Sequence, residues 1–272
     1  MTAIGEGASG VTVKHADSAA SVTLSWAAAT DVGHHRQDNE DSFVVLPPIF
    51  AVADGMGGHH AGDVASDAVV TALAALTVDT FTTTTAINEA LIAGVRALDA
   101  AVTDEQRGAG TTVTGAGLIL EDNHLNWAVF NIGDSRVYLY EAGELAQVTV
   151  DHSVVQQLVD AGQITREEAD YHPHSNVITR AVGLAEVPIP DYFFVDVRSG
   201  TRLLLCSDGL TKELTDQGIL HFLGSTATAQ EAVEELLKAA LGNSGRDNVT
   251  IVVIDVHGVN QPVITRPLST AI

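Results

Sequence analysis

The grouping of short apolar segments into pairs joined by tight polar turns most constrains the fold of this chain. Ten segments have the β-branched and aromatic composition of strands. They are residues 23–29, 41–46, 49–53, 111–120, 125–132, 135–141, 144–148, 193–197, 201–207 and 248–256. Turns such as Glu121-Asp122-Asn123-His124 and Glu141-Ala142-Gly143-Glu144 are short enough to indicate antiparallel hairpins. The chain is therefore expected to form antiparallel sheets.

Helical periodicity occurs in six further segments, which come in pairs between the groups of strands. They are residues 63–76, 85–103, 153–161, 166–171, 216–223 and 229–241. Strands and helices do not alternate one by one, so the order does not fit a doubly wound parallel sheet. The pattern favours an α+β fold in which helices cover the outer faces of two packed antiparallel sheets.

Net charge limits the partners of the chain. It has 35 acidic and 13 basic residues, a formal net charge of −22. Nucleic acids and anionic membranes are bound through clusters of Lys and Arg, and the lysines are only Lys14, Lys212 and Lys238. No segment reaches the ~20 apolar residues of a membrane span, and the lone Cys206 fits a reducing compartment. We therefore expect a cytoplasmic protein that binds neither nucleic acid nor membrane.

The domain organisation follows from where apolar periodicity is absent. Residues 1–21 are rich in Gly, Ala, Ser and Thr, and residues 258–272 show no clear pattern, so both are predicted to be flexible ends. Between them there is no Pro/Ser-rich linker and no repeat. The sequence predicts one domain, residues 22–257, in a monomer.

Aspartates stand at the ends of several predicted strands. Asp54, Asp134, Asp208 and Asp247 each precede Gly, Asn or Ser at such an end, and Asp41 begins another strand. Carboxylates that converge repel one another unless a cation lies between them, and hard oxygen ligands select Mg²⁺, Mn²⁺ or Ca²⁺ over zinc. A single Asp-Gly or Asp-Asn is more often a turn. Because four such aspartates occur together, a two-metal site and a set of turns are about equally good interpretations.

Six motifs occur in a fixed order along almost the whole predicted domain. They are Asp31-Val-Gly-His-His-Arg-Gln-Asp-Asn-Glu-Asp41, Ala53-Asp-Gly-Met-Gly-Gly-His59, Gly110-Thr-Thr112, Ile132-Gly-Asp-Ser-Arg136, Leu205-Cys-Ser-Asp-Gly-Leu210 and Arg246-Asp-Asn-Val-Thr250. Each is weak by itself, but their order and spacing are highly specific. Together they resemble the metal-dependent serine/threonine protein phosphatases of the type 2C (PPM) family, in its bacterial form.

The resemblance implies a four-layer α-β-β-α sandwich and a centre of two divalent ions, Mn²⁺ or Mg²⁺. In it Asp54 bridges the two ions, and the carbonyl of Gly55 contacts the second ion. Asp208 and Asp247 complete the shell of the first ion. These assignments are what the family match implies for these positions, and the absence of a Cβ at Gly55 suits a close approach to an ion.

The resemblance also implies roles for residues around the two ions. Asp41 acts largely through metal-bound water, and Asp134, together with Asp208, matches the ligands of a third, weaker ion. Arg36 falls on the phosphate-binding arginine, a role that its planar fork suits.

Two features of the resemblance leave alternatives open. Met56 stands where eukaryotic relatives have the His proposed to protonate the leaving group, so His59 becomes the first candidate for the acid and metal-bound water its rival. Residues 151–183 match the variable flap of bacterial members. The flap either selects substrates or is an insertion that packs on itself.

The predicted function is hydrolysis of phosphoserine and phosphothreonine in proteins by a water activated between two divalent ions. The expected partners are phosphorylated proteins, typically substrates of a serine/threonine kinase. One alternative is a regulatory or binding module of the same fold with weak catalysis, although intact Asp54, Asp208 and Asp247 argue against it. Another is a relative dedicated to a single regulatory phosphoprotein, which the sequence leaves open.

Overall fold

The computed structural model describes residues 1–57, 61–78, 81–103, 108–169, 171–184 and 187–261, and within them thirteen strands form two sheets. Sheet 1 has the order β1 (Ala3–Ile4), β4 (Asp41–Leu46), β5 (Ile49–Met56), β7 (Val113–Glu121), β8 (His124–Ile132) and β11 (Asp191–Asp196), and β6 (Gly110–Thr111) pairs with β5. Sheet 2 has the order β10 (Glu144–Gln147), β9 (Arg136–Glu141), β12 (Arg202–Cys206), β13 (Val249–Asn260), β3 (Ser21–Asp31) and β2 (Ala8–Lys14).

Helices cover the outer face of each sheet. On sheet 1 lie α1 (Ala61–Ala74) and α2 (Thr84–Ala101), and on sheet 2 lie α5 (Asp208–Thr211), α6 (Asp216–Ser225) and α7 (Ala229–Asn243). The predicted flap contains α3 (Val154–Asp160) and α4 (Arg166–Ala169). The hydroxyls of Thr215 and Thr228 accept hydrogen bonds from the first turns of α6 and α7 and so cap these helices. Among the described residues, no helix has both the length and the apolar character to cross a membrane.

Three apolar layers hold these elements together. Between the sheets, Phe50 contacts Trp26 and Trp127 edge to face, with ring centroids 5.5 and 6.0 Å apart. Leu73 and Leu91 are buried between sheet 1 and its helices, and Leu236 is buried on the outer face of sheet 2. Each such burial stabilises the fold by roughly 1.5 to 3 kcal/mol. The predicted four-layer sandwich is confirmed.

The prediction of flexible ends is wrong for most of the described terminal residues. β1 pairs with β4, in parallel, and β2 pairs with β3 at the edge of sheet 2. β13 continues to Asn260, beyond the predicted end of the domain at residue 257. The edge strand β2 buries only Val13, so it is held in place mainly by its backbone hydrogen bonds. Its sequence therefore lacks the apolar alternation by which a strand is recognised. Residues 262–272 of the predicted tail lie outside the described residues.

Strand register brings the predicted aspartates to one edge of the sandwich. In sheet 1, Asp41 at the start of β4 lies opposite Asp54 in β5. In sheet 2, β12 and β13 are antiparallel neighbours, and the Ser207 amide after β12 donates to the Thr250 carbonyl at 3.0 Å. The end of β12 therefore lies beside the start of β13, next to Asp247.

Candidate metal centre

Asp41 lies at the inner end of this edge, where it is completely buried. Its Oδ2 accepts hydrogen bonds from the Ser207 Oγ at 2.8 Å and the Thr250 Oγ1 at 2.7 Å, whereas its Oδ1 has no hydrogen-bond partner. Burial raises the pKa of Asp41 to about 6, against the lowering effect of the two hydroxyls. The charges of Asp208 and Asp247 contribute to the same rise.

Asp54 is held through its backbone. Its amide donates to the Thr112 Oγ1 at 3.1 Å, and its carbonyl accepts from the Thr111 Oγ1 at 2.9 Å. Burial raises the pKa of the Asp54 carboxyl well above its usual value. Four neighbouring carboxylates raise it further, namely Asp41, Asp208, Asp134 and Asp247. The five aspartates therefore share one electrostatic environment, which we call the acidic cleft.

The outer side of the acidic cleft contains cations. Lys212, which follows α5, places its Nζ 2.5 Å from the Asp208 Oδ2 and 3.0 Å from the Asp247 Oδ2. The Arg36 Nη2 lies 2.8 Å from the Asp247 Oδ1. Burial acts to raise the pKa of Asp247, but the charges of Lys212 and Arg36 outweigh it and lower this pKa. The Asp208 Oδ1 is buried without a hydrogen-bond partner.

Asp134 lies in the turn between β8 and β9. The preceding Gly133 has φ +112°, and a Cβ there would lie 2.6 Å from side-chain atoms of Thr112. Burial raises the pKa of Asp134 to about 7, and the charges of Asp208 and Asp151 add to this effect. Gly133 thus permits the turn that brings Asp134 toward the other carboxylates.

Gly55 allows a close backbone approach between β5 and the start of α1. A Cβ at Gly55 would overlap the carbonyl of Gly62, and it would lie 2.5 Å from the carbonyl oxygen of Glu40. The glycine is therefore required by packing. Contact of its carbonyl with a metal ion stays a prediction.

The donors of the acidic cleft fit a hard divalent cation. Two buried carboxylate oxygens, the Asp41 Oδ1 and the Asp208 Oδ1, have no partner, and buried polar atoms ordinarily do. In the part of the chain that the structure describes, no three His, Cys, Asp or Glu side chains already have the arrangement of a metal site. Lys212 instead joins two of the carboxylates. The unpartnered oxygens and the excess of negative charge suit Mg²⁺ or Mn²⁺.

The structure brings together Arg36 and all the predicted carboxylates, but His59 lies outside the described residues. Sequence reasoning missed Lys212, although it follows Asp208 at the i,i+4 spacing of a helical turn. It also missed the hydroxyls of Ser207 and Thr250, both of which lie inside the quoted motifs.

Asn248 is a further missed residue, and it fixes the loop that carries Arg36. Its Nδ2 donates to the carbonyls of Val32 and Asp38, each at 3.0 Å, and its Oδ1 accepts from the Glu40 amide at 2.9 Å. Three hydrogen bonds from one buried side chain hold both ends of this loop against β13.

The fold is an α-β-β-α sandwich, and five aspartates converge at one of its edges. A family model described as protein phosphatase 2C matches residues 27–243. The chain belongs to the protein phosphatase 2C family.

Named relatives agree with this family. The serine/threonine protein phosphatase PstP of Mycobacterium tuberculosis is 42% identical over 256 residues, which cover 91% of this chain and 49% of PstP. This chain thus spans about half the length of that relative. The protein phosphatase PhpP of Streptococcus pneumoniae is 36% identical over 84% of this chain and 96% of PhpP. A crystal structure of the PstP catalytic domain in complex with two manganese ions superposes with a TM-score of 0.77 at 41% identity, covering 86% of this chain and 99% of that one.

Proposed function

We propose that this chain hydrolyses phosphoserine and phosphothreonine in proteins and that it requires two divalent ions, Mn²⁺ or Mg²⁺. The observation that carries this proposal is the convergence of five aspartates at one edge of the sandwich, two of them with unpartnered buried oxygens. The names of PstP and PhpP, and the two manganese ions in the PstP catalytic domain, support the same activity.

The ion ligands follow from the family match and the geometry together. Asp54, Asp208 and Asp247, with the carbonyl of Gly55, would hold the two ions, and Asp41 would act from the inner end. A pair of divalent ions supplies a water of lowered pKa and offsets negative charge on the phosphoryl group. The charge of Asp208 contributes to the raised pKa of Asp134, so the two carboxylates are close enough to interact. This fits a weaker site for a third metal ion.

Arg36 is proposed to bind the phosphoryl group of the substrate. Its side chain is 52% exposed at the mouth of the acidic cleft, and it contacts Asp247 through one Nη atom. A guanidinium can hold two phosphoryl oxygens at once, which orients the phosphorus for attack. The contact with Asp247 keeps Arg36 beside the proposed ions.

The buried thiol of Cys206 argues against a cysteinyl-phosphate route. Cys206 lies in β12 with no exposed surface, and burial raises the pKa of its thiol to about 12. A thiol with this pKa supplies almost no thiolate nucleophile at neutral pH. Direct attack by water is therefore the proposed route.

The biological setting is part of the proposal. The substrates would be proteins phosphorylated by a serine/threonine kinase, and the enzyme would act in signalling in the cytoplasm, where a single buried thiol suits the redox conditions. His59 as the acid, a substrate-selecting flap at residues 151–183 and a monomeric state stay predictions.

The test is metal-dependent release of phosphate from phosphoserine and phosphothreonine peptides. Activity should appear with Mn²⁺ and disappear with a chelator. Asp54→Asn should lower kcat/KM by at least ~10²-fold, because it removes the charge that would hold the two ions, and the ions stabilise the transition state. Asp99→Asn, which changes an exposed carboxylate on α2, is the matched control and should keep wild-type activity.

Two results would contradict the proposal. One is full activity in the chelated protein. The other is tight binding of phosphopeptides without turnover at saturating Mn²⁺, which would favour the regulatory module of the same fold.

A further inference from the structure

Lys212 occupies the space between two carboxylates that the proposed metal centre requires. Its Nζ contacts the Asp208 Oδ2 and the Asp247 Oδ2 at 2.5 and 3.0 Å. We propose that Lys212 is a built-in competitor of the metal: its ammonium neutralises this carboxylate pair in the metal-free protein and must leave before a divalent ion binds. The inference rests on the proposed function, since it presupposes that Asp208 and Asp247 are metal ligands.

The local backbone allows the ammonium to leave without unfolding. The Lys212 amide donates to the Asp208 carbonyl at 2.8 Å, so the backbone of both residues belongs to one turn. The lysine head is joined to that turn by a flexible four-carbon stem. The side chain is 30% exposed, so solvent already reaches it. Rotation of the stem can therefore move the charge into water while α5 stays in place.

Electrostatics makes this contact a competition. The two carboxylate oxygens that the ammonium contacts are on the residues that would bind the ion, and a divalent ion there would lie against a like charge. Binding of the metal must therefore break both ion pairs of Lys212. Removal of the ammonium should strengthen metal binding, whereas a lysine that only stabilises the fold would have no such effect.

Arg36 does not compete with the metal in the way proposed for Lys212. Among the described residues its ion pair is with Asp247 through Oδ1, and Lys212 is the cation that contacts both carboxylates. Arg36 also lies more than half exposed, at the mouth of the acidic cleft. The competition is thus a property of Lys212, which the family motifs quoted from the sequence do not include.

The experiment compares metal affinity and stability in matched variants. Mn²⁺ binding to the whole chain is measured by titration calorimetry, and Tm is measured with a chelator and with saturating Mn²⁺. Lys212→Gln should bind Mn²⁺ about 10-fold more tightly, as expected for loss of one adjacent positive charge. Its metal-free Tm should fall, because two carboxylates lose their counter-charge, so its gain in Tm on Mn²⁺ addition should exceed that of the wild type.

Two control variants separate charge from other effects. Lys212→Arg keeps a cation at this position and should stay near the wild-type affinity. Lys238→Gln removes an exposed lysine on α7 that pairs only with Glu235 among the described residues, and it should change neither affinity nor the gain in Tm.

A measurement on the wild-type chain keeps the test valid if the variant folds poorly. Lysine acetylation by a small reagent is followed by mass spectrometry with and without Mn²⁺. Mn²⁺ should increase the reactivity of Lys212, as its ammonium moves into solvent, and leave that of Lys238 unchanged.

The contrary results differ in what they overturn. If Lys212→Gln loses metal-free stability but keeps a Kd within about two-fold of the wild type, the competition is refuted and Lys212 is structural. Unchanged or lower Lys212 reactivity on Mn²⁺ binding refutes it as well. If the wild type itself binds no Mn²⁺, the metal centre and the inference both fail.

Discussion

The inner and outer ends of the acidic cleft hold their carboxylates in different ways. At the inner end, Asp41 has no exposed surface and is held by two neutral hydroxyls, with one oxygen unpartnered. At the outer end, the side chains of Asp208 and Asp247 are 15% and 18% exposed, and both contact the Lys212 ammonium. The chain thus neutralises the two outer carboxylates with its own cations, whereas Asp41 at the inner end has only hydroxyl dipoles beside it.

This difference shows where the fold retains unfavourable charge. Burial raises the pKa of Asp41 to about 6, whereas Lys212 and Arg36 lower the pKa of Asp247. Hydroxyl dipoles offset only part of the desolvation of a buried carboxylate, and a full charge nearby offsets more. The attraction between a divalent ion and the carboxylates would therefore be strongest at the inner end, where no cation opposes it. At the outer end the ion would have to displace a cation.

The largest expected effect comes from removing the outer carboxylate that both cations share. Asp247→Asn should lower kcat/KM on phosphopeptides by about 10²-fold, through lost charge stabilisation of the transition state. It should also lower the metal-free Tm, because Lys212 and Arg36 lose their partner. Steady-state kinetics and thermal melting with a chelator measure the two effects.

The matched control is Asp196→Asn on β11. Asp196 also pairs with an arginine, Arg198, but its side chain is 65% exposed, and surface pairs contribute little. This variant should change neither quantity. Near-wild-type turnover in Asp247→Asn would mean that the outer carboxylate is not a metal ligand.

A smaller effect is expected at Arg36, the outermost cation. Arg36→Ala should raise KM for a phosphopeptide about 10-fold, because the phosphoryl group loses a bidentate partner. The Kd for Mn²⁺ should stay within about two-fold of the wild type, since Arg36 contacts one carboxylate from its exposed side. Lost Mn²⁺ binding with an unchanged KM would assign Arg36 to the support of Asp247 instead.

Sequence reasoning worked where side-chain pattern and backbone structure agree. β4 has the predicted bounds of residues 41–46, because a short continuous apolar segment between polar residues is typical of a strand that is buried on both faces. The aspartates were found because they lie at or beside the ends of strands within recognisable motifs. Their convergence depends on strand register, which hairpin turns and apolar faces jointly determine.

The features that were missed depend on contacts between segments far apart in sequence. The pairing of Lys212 with Asp247 requires the turn of α5 to face the start of β13, and α5 has only four residues and no detectable periodicity. The hydroxyls of Ser207 and Thr250 contact Asp41 across 166 and 209 residues, respectively. β2 is held by backbone pairing at an edge and buries only Val13, so its sequence shows little apolar alternation.

The smallest predicted effect is a dependence of metal-free stability on pH. Burial raises the pKa of Asp41 to about 6 and that of Asp134 to about 7, from an ordinary value of 3.8. Between about pH 4 and pH 7 the folded chain therefore binds more protons at these carboxyls than the unfolded chain does. Its free energy of unfolding should then rise as pH falls through this window. Asp247, whose pKa is lowered, acts in the opposite direction only below about pH 4.

With a chelator present, Tm should accordingly be several degrees higher at about pH 5.5 than at about pH 8. The double variant Asp41→Asn/Asp134→Asn should weaken this dependence, because it removes two of the three carboxyls whose pKa burial raises and keeps their approximate shape, while Asp54 stays. Saturating Mn²⁺ should reverse its sign, since protons compete with the metal for the same oxygens. A metal-free Tm that falls steadily from pH 8 to pH 5.5 would mean that Asp41 and Asp134 are neutralised as fully as the outer carboxylates, and the contrast between the two groups would not hold.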